Sequence, residues 1–114
     1  MKLYEYQAKN VFQEEGIVIP KSILIQEYEQ LENALDEVGV PCVVKSQVLS
    51  GGRGKAGLVV FTPTKEKAVL ETTRLFNHDL KIRTILIEEA VQIKQEIYVA
   101  FTVDPSTATG LLMV

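Results

Sequence analysis

Residues 43–61, VVKSQVLSGGRGKAGLVVF, decide how the rest of this 114-residue sequence is interpreted. Glycines at positions 52, 54 and 57 form a GxGxxG pattern, and apolar, β-branched runs lie on both sides of it. Glycines let a backbone approach phosphate oxygens closely, with successive N–H groups directed at them. The stretch therefore predicts two strands joined by a phosphate-binding loop. From the glycines alone, an ordinary hairpin turn is an equally good interpretation.

Two common phosphate-binding loops do not fit this pattern. A Walker A loop needs Ser or Thr after its lysine and then a helix, whereas here Lys55 is followed by Ala56 and by the strand-like LVVF. A dinucleotide-binding loop also needs a helix whose N-terminus faces the pyrophosphate. A glycine flap over a nucleotide, as in protein kinases, matches residues 52–59 literally. The kinase lysine after the loop and the HRD and DFG motifs are missing from the sequence, however.

Lys45 is the residue that favours a ligand over a plain turn. It lies within an otherwise apolar strand, where a charge is costly unless it is paired or serves a ligand. Strand alternation places it on one face with Val43 and Gln47, while Val44 and Val48 take the other face. The alternative is a lysine on an edge strand that extends its ammonium group into water.

A second group of charges lies in ILIEEAVQIKQEIYV, residues 85–99. Glu88 and Glu89 end an apolar strand, and Glu96 begins the next one. Carboxylates at strand ends can accept ribose hydroxyls or bind a metal, and exposed backbone there can contact an adenine edge. A polar turn between two strands explains the pattern equally well.

The remaining sequence predicts an α/β or α+β fold, a mixed sheet with helices packed on it and covering one of its faces. Apolar periodicity and helix-ending signals predict helices. Short β-branched runs bounded by Gly or Pro predict strands. The charged residues on the helices are interpreted as solvated surface. The predicted helices cover residues 4–15, 27–39 and 64–77, and the predicted strands cover 22–26, 41–48, 58–63, 83–90, 95–104 and the start of one at 110–114.

Composition limits the function classes. The length suits one domain, residues 1–114, and 46% hydrophobic with 24% charged residues is typical of globular proteins. A net charge of −3 argues against nucleic-acid binding, which needs a basic surface. A single cysteine, Cys42, allows no internal disulfide and favours a reducing compartment. With no signal-peptide core and no apolar run long enough for a membrane span, we expect a cytoplasmic protein without membrane contacts.

Three stretches together carry a family resemblance: LYEYQAKNVFQEEGI at 3–17, VVKSQVLSGGRGKAG at 43–57 and ILIEEAVQIKQEIYV at 85–99. In order and spacing they resemble the β subunit of succinyl-CoA synthetase, or succinate–CoA ligase. That family has an ATP-grasp fold, in which two α/β subdomains hold ATP between them. The resemblance covers nearly the whole chain but only about the first third of such a subunit. Two departures, Ser46 and the pair Leu49-Ser50, leave the glycines untouched.

The resemblance implies a role for each matching residue. Lys45 would contact the α-phosphate side of the nucleotide. The flap over the phosphates would consist of Gly52, Arg53 and Gly54. Glu88, with the backbone running on to Val91, would lie along the adenine, and Glu96 would bind the ribose hydroxyls.

The resemblance also implies the reaction succinate + CoA + NTP ⇌ succinyl-CoA + NDP + phosphate. The nucleotide would be ATP or GTP, with Mg²⁺ ligands expected beyond residue 114. The reaction would pass through a phosphohistidine on a partner α subunit, and CoA and succinate would bind outside this segment. His78 is accordingly interpreted as a surface or helix-capping residue, and Cys42 as a core residue.

Three alternatives stay open: a malate–CoA ligase, another NDP-forming acyl-CoA synthetase, and a non-catalytic nucleotide-binding or assembly module. The apolar run GLLMV at 110–114 resembles an interrupted strand. An unpaired apolar edge favours pairing with another chain, so we expect residues 1–114 by themselves to self-associate. Because the sequence shows no cluster of carboxylates suited to Mg²⁺, we also expect them to lack synthetase activity and to bind nucleotide weakly at best.

Overall fold

A computed structural model describes residues 2–49, 57–104, 106–107 and 109–114 of the chain. Three α-helices and six strands lie within these residues, with a 3-10 turn at Tyr28–Gln30. None of the described helices is both long and apolar enough to cross a lipid bilayer. In chain order the elements are α1 (Glu5–Glu14), β1 (Ser22–Ile25), α2 (Leu31–Val38), β2 (Cys42–Ser46), β3 (Val59–Thr62), α3 (Lys65–Phe76), β4 (Ile85–Glu89), β5 (Ala100–Asp104) and β6 (Thr109–Met113).

The helix ends follow the signals in the sequence. The hydroxyl of Thr64 accepts a hydrogen bond from the backbone N–H of Lys67 at 3.2 Å and so caps the N-terminus of α3. After α1 and α2 the chain turns at Gly16 and Gly39, both at positive φ, a conformation that favours glycine. All three predicted helices are confirmed, each somewhat shorter than predicted.

Four strands form one sheet in the order β1-β4-β2-β3, and every pair of neighbours is antiparallel. The α+β fold class is confirmed, but the prediction of a mixed sheet is wrong for the described strands. Helix α2 connects β1 to β2, and these two strands do run parallel to each other. Because β4 inserts between them, they are not neighbours, and no parallel ladder forms.

One face of this sheet forms the apolar core. Alternate residues of β2 and β4 point to it, among them Val44 and Ile87, which are paired across the strands and are 0% exposed. Helices α2 and α3 cover this face, and Cys42 is buried here as predicted. The buried core comprises Ile25, Leu31, Ala34, Leu35, Cys42, Val44, Leu58, Ala68, Leu75, Ile82, Ile85 and Ile87.

Helix α1 lies against the opposite face of the same sheet. It has no buried residue, and it is attached through the side chains of Glu5 and Lys9 and through the backbone of Tyr6. The prediction that helices cover one face is therefore incomplete, because α2 and α3 cover one face and α1 contacts the other. Alternation in β2 and β4 supplies this second face with Lys45, Leu86 and Glu88.

Strands β5 and β6 form a separate two-stranded hairpin. The ladder begins at the pair Ala100↔Met113, so residues 95–99 lie outside it and the predicted strand at 95–104 is only half confirmed. A strand forms only where a neighbouring strand accepts and donates its backbone hydrogen bonds. The β-branched and apolar residues at 95–99 have a preference for strands, but β6 does not extend far enough to pair with them. The run at 110–114 does contribute a strand, as predicted.

Candidate functional site

Lys45 lies in the central strand β2, with β4 on one side and β3 on the other. Its ammonium Nζ donates to Glu5 Oε1 at 2.9 Å and to Glu88 Oε1 at 2.8 Å. Lys45 is therefore not a lysine on an edge strand, and its charge is paired across the sheet and to α1. Only 18% of its side chain is exposed.

Lys9 contacts the same two carboxylates. Its ammonium lies 3.1 Å from Glu5 Oε1, one helical turn away, and forms a hydrogen bond with the other carboxylate oxygen of Glu88. Glu5, Lys45, Glu88 and Lys9 thus form a closed ring of alternating charge, which we call the charge ring. The side chain of Glu88 is its most buried member, at 7% exposed.

The charge ring alters the basicity of Lys45. Burial lowers the pKa of Lys45, but the hydrogen bonds and the negative charges of Glu88 and Glu5 together raise it by more, so the pKa lies above that of an ordinary lysine. Lys45 is therefore a fully charged ammonium at neutral pH. Such a group can bind a phosphate oxygen as well as a carboxylate.

The position of α1 depends on a backbone contact next to the ring. The Gln47 side-chain oxygen accepts a hydrogen bond from the Tyr6 N–H at 3.0 Å, in the first turn of α1 where that N–H has no partner within the helix. Because Gln47 is buried and directly follows β2, this contact fixes the start of α1 over the face that carries Lys45.

The glycine-rich segment connects two paired strands, as predicted. Strands β2 and β3 are antiparallel neighbours with Lys45 opposite Val59, and Ser46 N–H donates to the Leu58 carbonyl at 2.9 Å. Since β3 begins at Val59, the helix required by a dinucleotide-binding loop is not formed there. The predicted flap residues Gly52, Arg53 and Gly54 lie outside the described residues.

A second charged group, on helix α3, contacts the backbone just before the start of β3. Arg74 of α3 donates to the Gly57 carbonyl at 2.6 Å and to Glu71 at 2.7 Å. Lys67 lies 3.1 Å from the other oxygen of Glu71. The hydrogen bond from Arg74 is the largest of the contributions that lower the pKa of Glu71.

The predicted site residues of the second charged stretch, Glu88, Val91 and Glu96, are placed differently with respect to Lys45. The structure brings Glu88 to Lys45, whereas Val91 and Glu96 lie exposed in the stretch between β4 and β5. Both carboxylate oxygens of Glu88 are directed to the two lysines. His78 follows α3, where its ring nitrogen accepts the Leu80 N–H at 3.1 Å, a structural role in line with the prediction.

Sequence reasoning missed Glu5, Lys9, Glu71 and Arg74, because all helix charges were interpreted as solvated surface. That interpretation is wrong for Glu71, which is 9% exposed, and for the half-buried Glu5 and Lys9. Spacings of three or four residues, at 5 and 9 and at 71 and 74, were a detectable signal for pairs within a helix. The contacts of Lys9 with Glu88 and of Arg74 with the Gly57 carbonyl could not be predicted from that spacing.

No group of three His, Cys, Asp or Glu side chains that could hold a metal ion occurs among the described residues. In addition, the carboxylate of Glu88 is already neutralised by two ammonium groups, which makes it a poor magnesium ligand. The expectation of Mg²⁺ ligands outside this segment stays a prediction.

Comparison with known proteins identifies related sequences and folds. The family pattern described as ATP-grasp domain matches residues 2–114. The ADP-forming sulfoacetate-CoA ligase subunit SauC of Bilophila wadsworthia is 51% identical over 113 residues, covering 99% of this chain and 30% of that protein. The ADP-forming succinate–CoA ligase subunit beta of Methanocaldococcus jannaschii is 39% identical over 116 residues, covering 99% of this chain and 31% of that protein. The chain thus spans a little under a third of the length of these relatives.

Two solved structures share the fold at low sequence identity. ACD1 of Ca. Korarchaeum cryptofilum, solved with coenzyme A, superposes with a TM-score of 0.79 and 21% identity over 94% of this chain and 50% of that one. The ADP complex of N5-carboxyaminoimidazole ribonucleotide synthetase gives a TM-score of 0.73 and 22% identity, covering 97% of this chain and 27% of that one.

Proposed function

The chain belongs to the ATP-grasp domain family, and from that premise we propose that it is the N-terminal nucleotide-binding part of the β subunit of an ADP-forming acid–CoA ligase. The observation that carries the proposal is Lys45, a charged ammonium on the central strand that leads into the glycine-rich segment. A cation next to a glycine loop is a suitable site for a nucleotide phosphate.

The proposed binding mode assigns separate parts of the nucleotide to separate residues. Lys45 contacts the α-phosphate side, and Gly52, Arg53 and Gly54 cover the phosphates. The backbone from Glu88 to Val91 lies along the adenine, and Glu96 accepts the ribose hydroxyls. ATP is favoured over GTP because the similar ligases named above are ADP-forming.

The acid substrate has two candidates. Succinate is the substrate that the sequence resemblance implies, and sulfoacetate is favoured by the 51% identity to the sulfoacetate-CoA ligase subunit against 39% for the succinate–CoA ligase subunit. Both acids are dianions with a carboxylate to activate. In either case the proposal places CoA, the acid, the Mg²⁺ ligands and a phosphohistidine-bearing α subunit outside this chain's described residues.

The test of the proposal is nucleotide affinity in the complete ligase that carries this chain. Lys45→Ala removes a charge-assisted contact and should weaken ADP binding about 10-fold or more, measured by calorimetry. Lys65→Ala is the matched control, because the ion pair of Lys65 with Asp36 is exposed. Equal affinity in both variants would remove Lys45 from the nucleotide site.

A second measurement separates the two acids. The complete ligase is assayed for CoA-thioester formation from CoA and ATP with either sulfoacetate or succinate, and kcat/KM is compared. A ratio above about 10 assigns the substrate, since it corresponds to a difference of about 1.4 kcal/mol in transition-state binding. Failure with both acids would reject these two substrates and leave malate or another acid as the candidate.

A further inference from the structure

We propose that Glu5 and Lys9 of α1 are positioning residues that set how readily Lys45 can exchange its carboxylate partners for a nucleotide phosphate. The inference rests on the proposed function of Lys45. It assigns a role to α1, a helix with no buried residue that contacts the sheet by polar groups.

Lys45 and Lys9 share the same two carboxylates. Lys45 contacts Glu5 at 2.9 Å and Glu88 at 2.8 Å, and Lys9 contacts the same two residues. Each carboxylate therefore has two ammonium partners. The two lysines take different oxygens of Glu88, so that one can leave without disturbing the other.

Moving the Lys45 ammonium to a ligand has a free-energy cost. A phosphate oxygen that binds the Lys45 ammonium draws it away from Glu5 and Glu88. Leaving a buried carboxylate without a counter-ion is strongly unfavourable, and the side chain of Glu88 is only 7% exposed. Lys9 removes that cost, because it keeps both carboxylates paired after Lys45 has turned to the ligand.

The net charge of the ring is zero, because it contains two lysines and two glutamates. Removing the charge of Lys9 leaves the ring at −1, so that Lys45 is held by both carboxylates and an incoming polyphosphate is repelled. Removing the charge of Glu5 leaves the ring at +1 and frees one bond of Lys45. The two substitutions should therefore change nucleotide affinity in opposite directions.

The experiment measures the dissociation constant for ADP by calorimetry in the complete ligase, together with the midpoint of urea unfolding for each variant. We expect Lys9→Gln to weaken ADP binding about 3- to 10-fold and Glu5→Gln to strengthen it about 3-fold, by the change in charge within a few ångströms of Lys45. Lys9→Arg keeps the charge and should restore affinity near that of the wild type. Lys65→Gln is the control for removing an exposed lysine.

A purely structural role of α1 predicts a different pattern. Both Lys9→Gln and Glu5→Gln would then lower the unfolding midpoint, while ADP affinity would stay constant or move in the same direction for both, and this would overturn the inference. Should Lys9→Gln fail to fold, the tighter binding of Glu5→Gln still decides the question.

Lys45→Ala distinguishes failure of the inference from failure of the proposed function. Weaker ADP binding in Lys45→Ala with wild-type affinity in both α1 variants would reject only the role of Glu5 and Lys9. Wild-type affinity in Lys45→Ala would reject the nucleotide site and the inference with it.

Discussion

The two faces of the four-stranded sheet are built from alternate residues of the same strands, yet they are stabilised in different ways. On β2 and β4, Val44 and Ile87 point into the apolar core, while Lys45 and Glu88 point to α1 and form ion pairs. The core face is held by non-directional burial, and the α1 face by directional bonds between charges. The core face fixes the shape of the sheet, whereas charges on the other face can exchange partners without disturbing that shape.

The largest effect is expected on the core face. Ile87→Ala removes a side chain that is 0% exposed, between strands and helices that cannot close the cavity fully. We expect a loss of about 3 kcal/mol in the free energy of unfolding, measured by urea denaturation. A loss below about 1 kcal/mol would show that this face is not the main source of stability.

The neighbouring residue tests the charged face. Glu88→Gln has nearly the same shape but leaves two ammonium groups with Glu5 as their remaining carboxylate in the ring. We expect a loss of about 1–3 kcal/mol, because both lysine side chains keep some contact with water. A variant as stable as the wild type would mean that the ring adds no net stability.

Acid and alkali should weaken different parts of the molecule. The folded pKa of Lys45 is raised, so its contribution is complete below the unfolded value of 10.5 and is lost as pH rises through the folded pKa. The folded pKa of Glu71 is lowered, so its contribution is present above the unfolded value of 4.5 and is lost as pH falls through the folded pKa.

Urea unfolding across pH checks both signs. The stability difference between the wild type and Lys45→Met should be constant from neutral pH to about 10 and change above it. The difference between the wild type and Glu71→Gln should shrink as pH falls below the unfolded value of 4.5 and disappear below the lowered folded pKa. Stability differences that do not vary with pH would show that neither Lys45 nor Glu71 couples its protonation to folding.

The smallest effect is expected at the surface. Lys65 and Asp36 lie 3.4 Å apart with 51% and 64% of their side chains exposed. Lys65→Ala should change the free energy of unfolding by less than about 0.5 kcal/mol, within the range of exposed ion pairs. A larger loss would indicate that surface charges in this protein contribute more than their exposure suggests.

The sequence could predict the features that depend on local patterns. Thr64 and Gly16 marked helix ends, alternation separated Val44 from Lys45, and the glycine stretch indicated two adjacent strands. The insertion of β4 between β1 and β2 could not be predicted, since strand order depends on long-range packing. For the same reason the pairing of Lys9 with Glu88 stayed hidden, because no local rule connects α1 with β4.

The insertion of β4 also has a consequence for the order in which the molecule assembles. In the sheet β1 has β4 as its neighbour, and β4 is the last of the four strands in the chain. During synthesis α1 and β1 therefore emerge before β4 but complete their contacts only after residues 85–89 have joined the sheet. Contacts between distant residues form late because a long loop must close first. Helix α1 then completes its docking only after β4 has been made, and a nascent chain that lacks β4 presents Lys45 without Glu88.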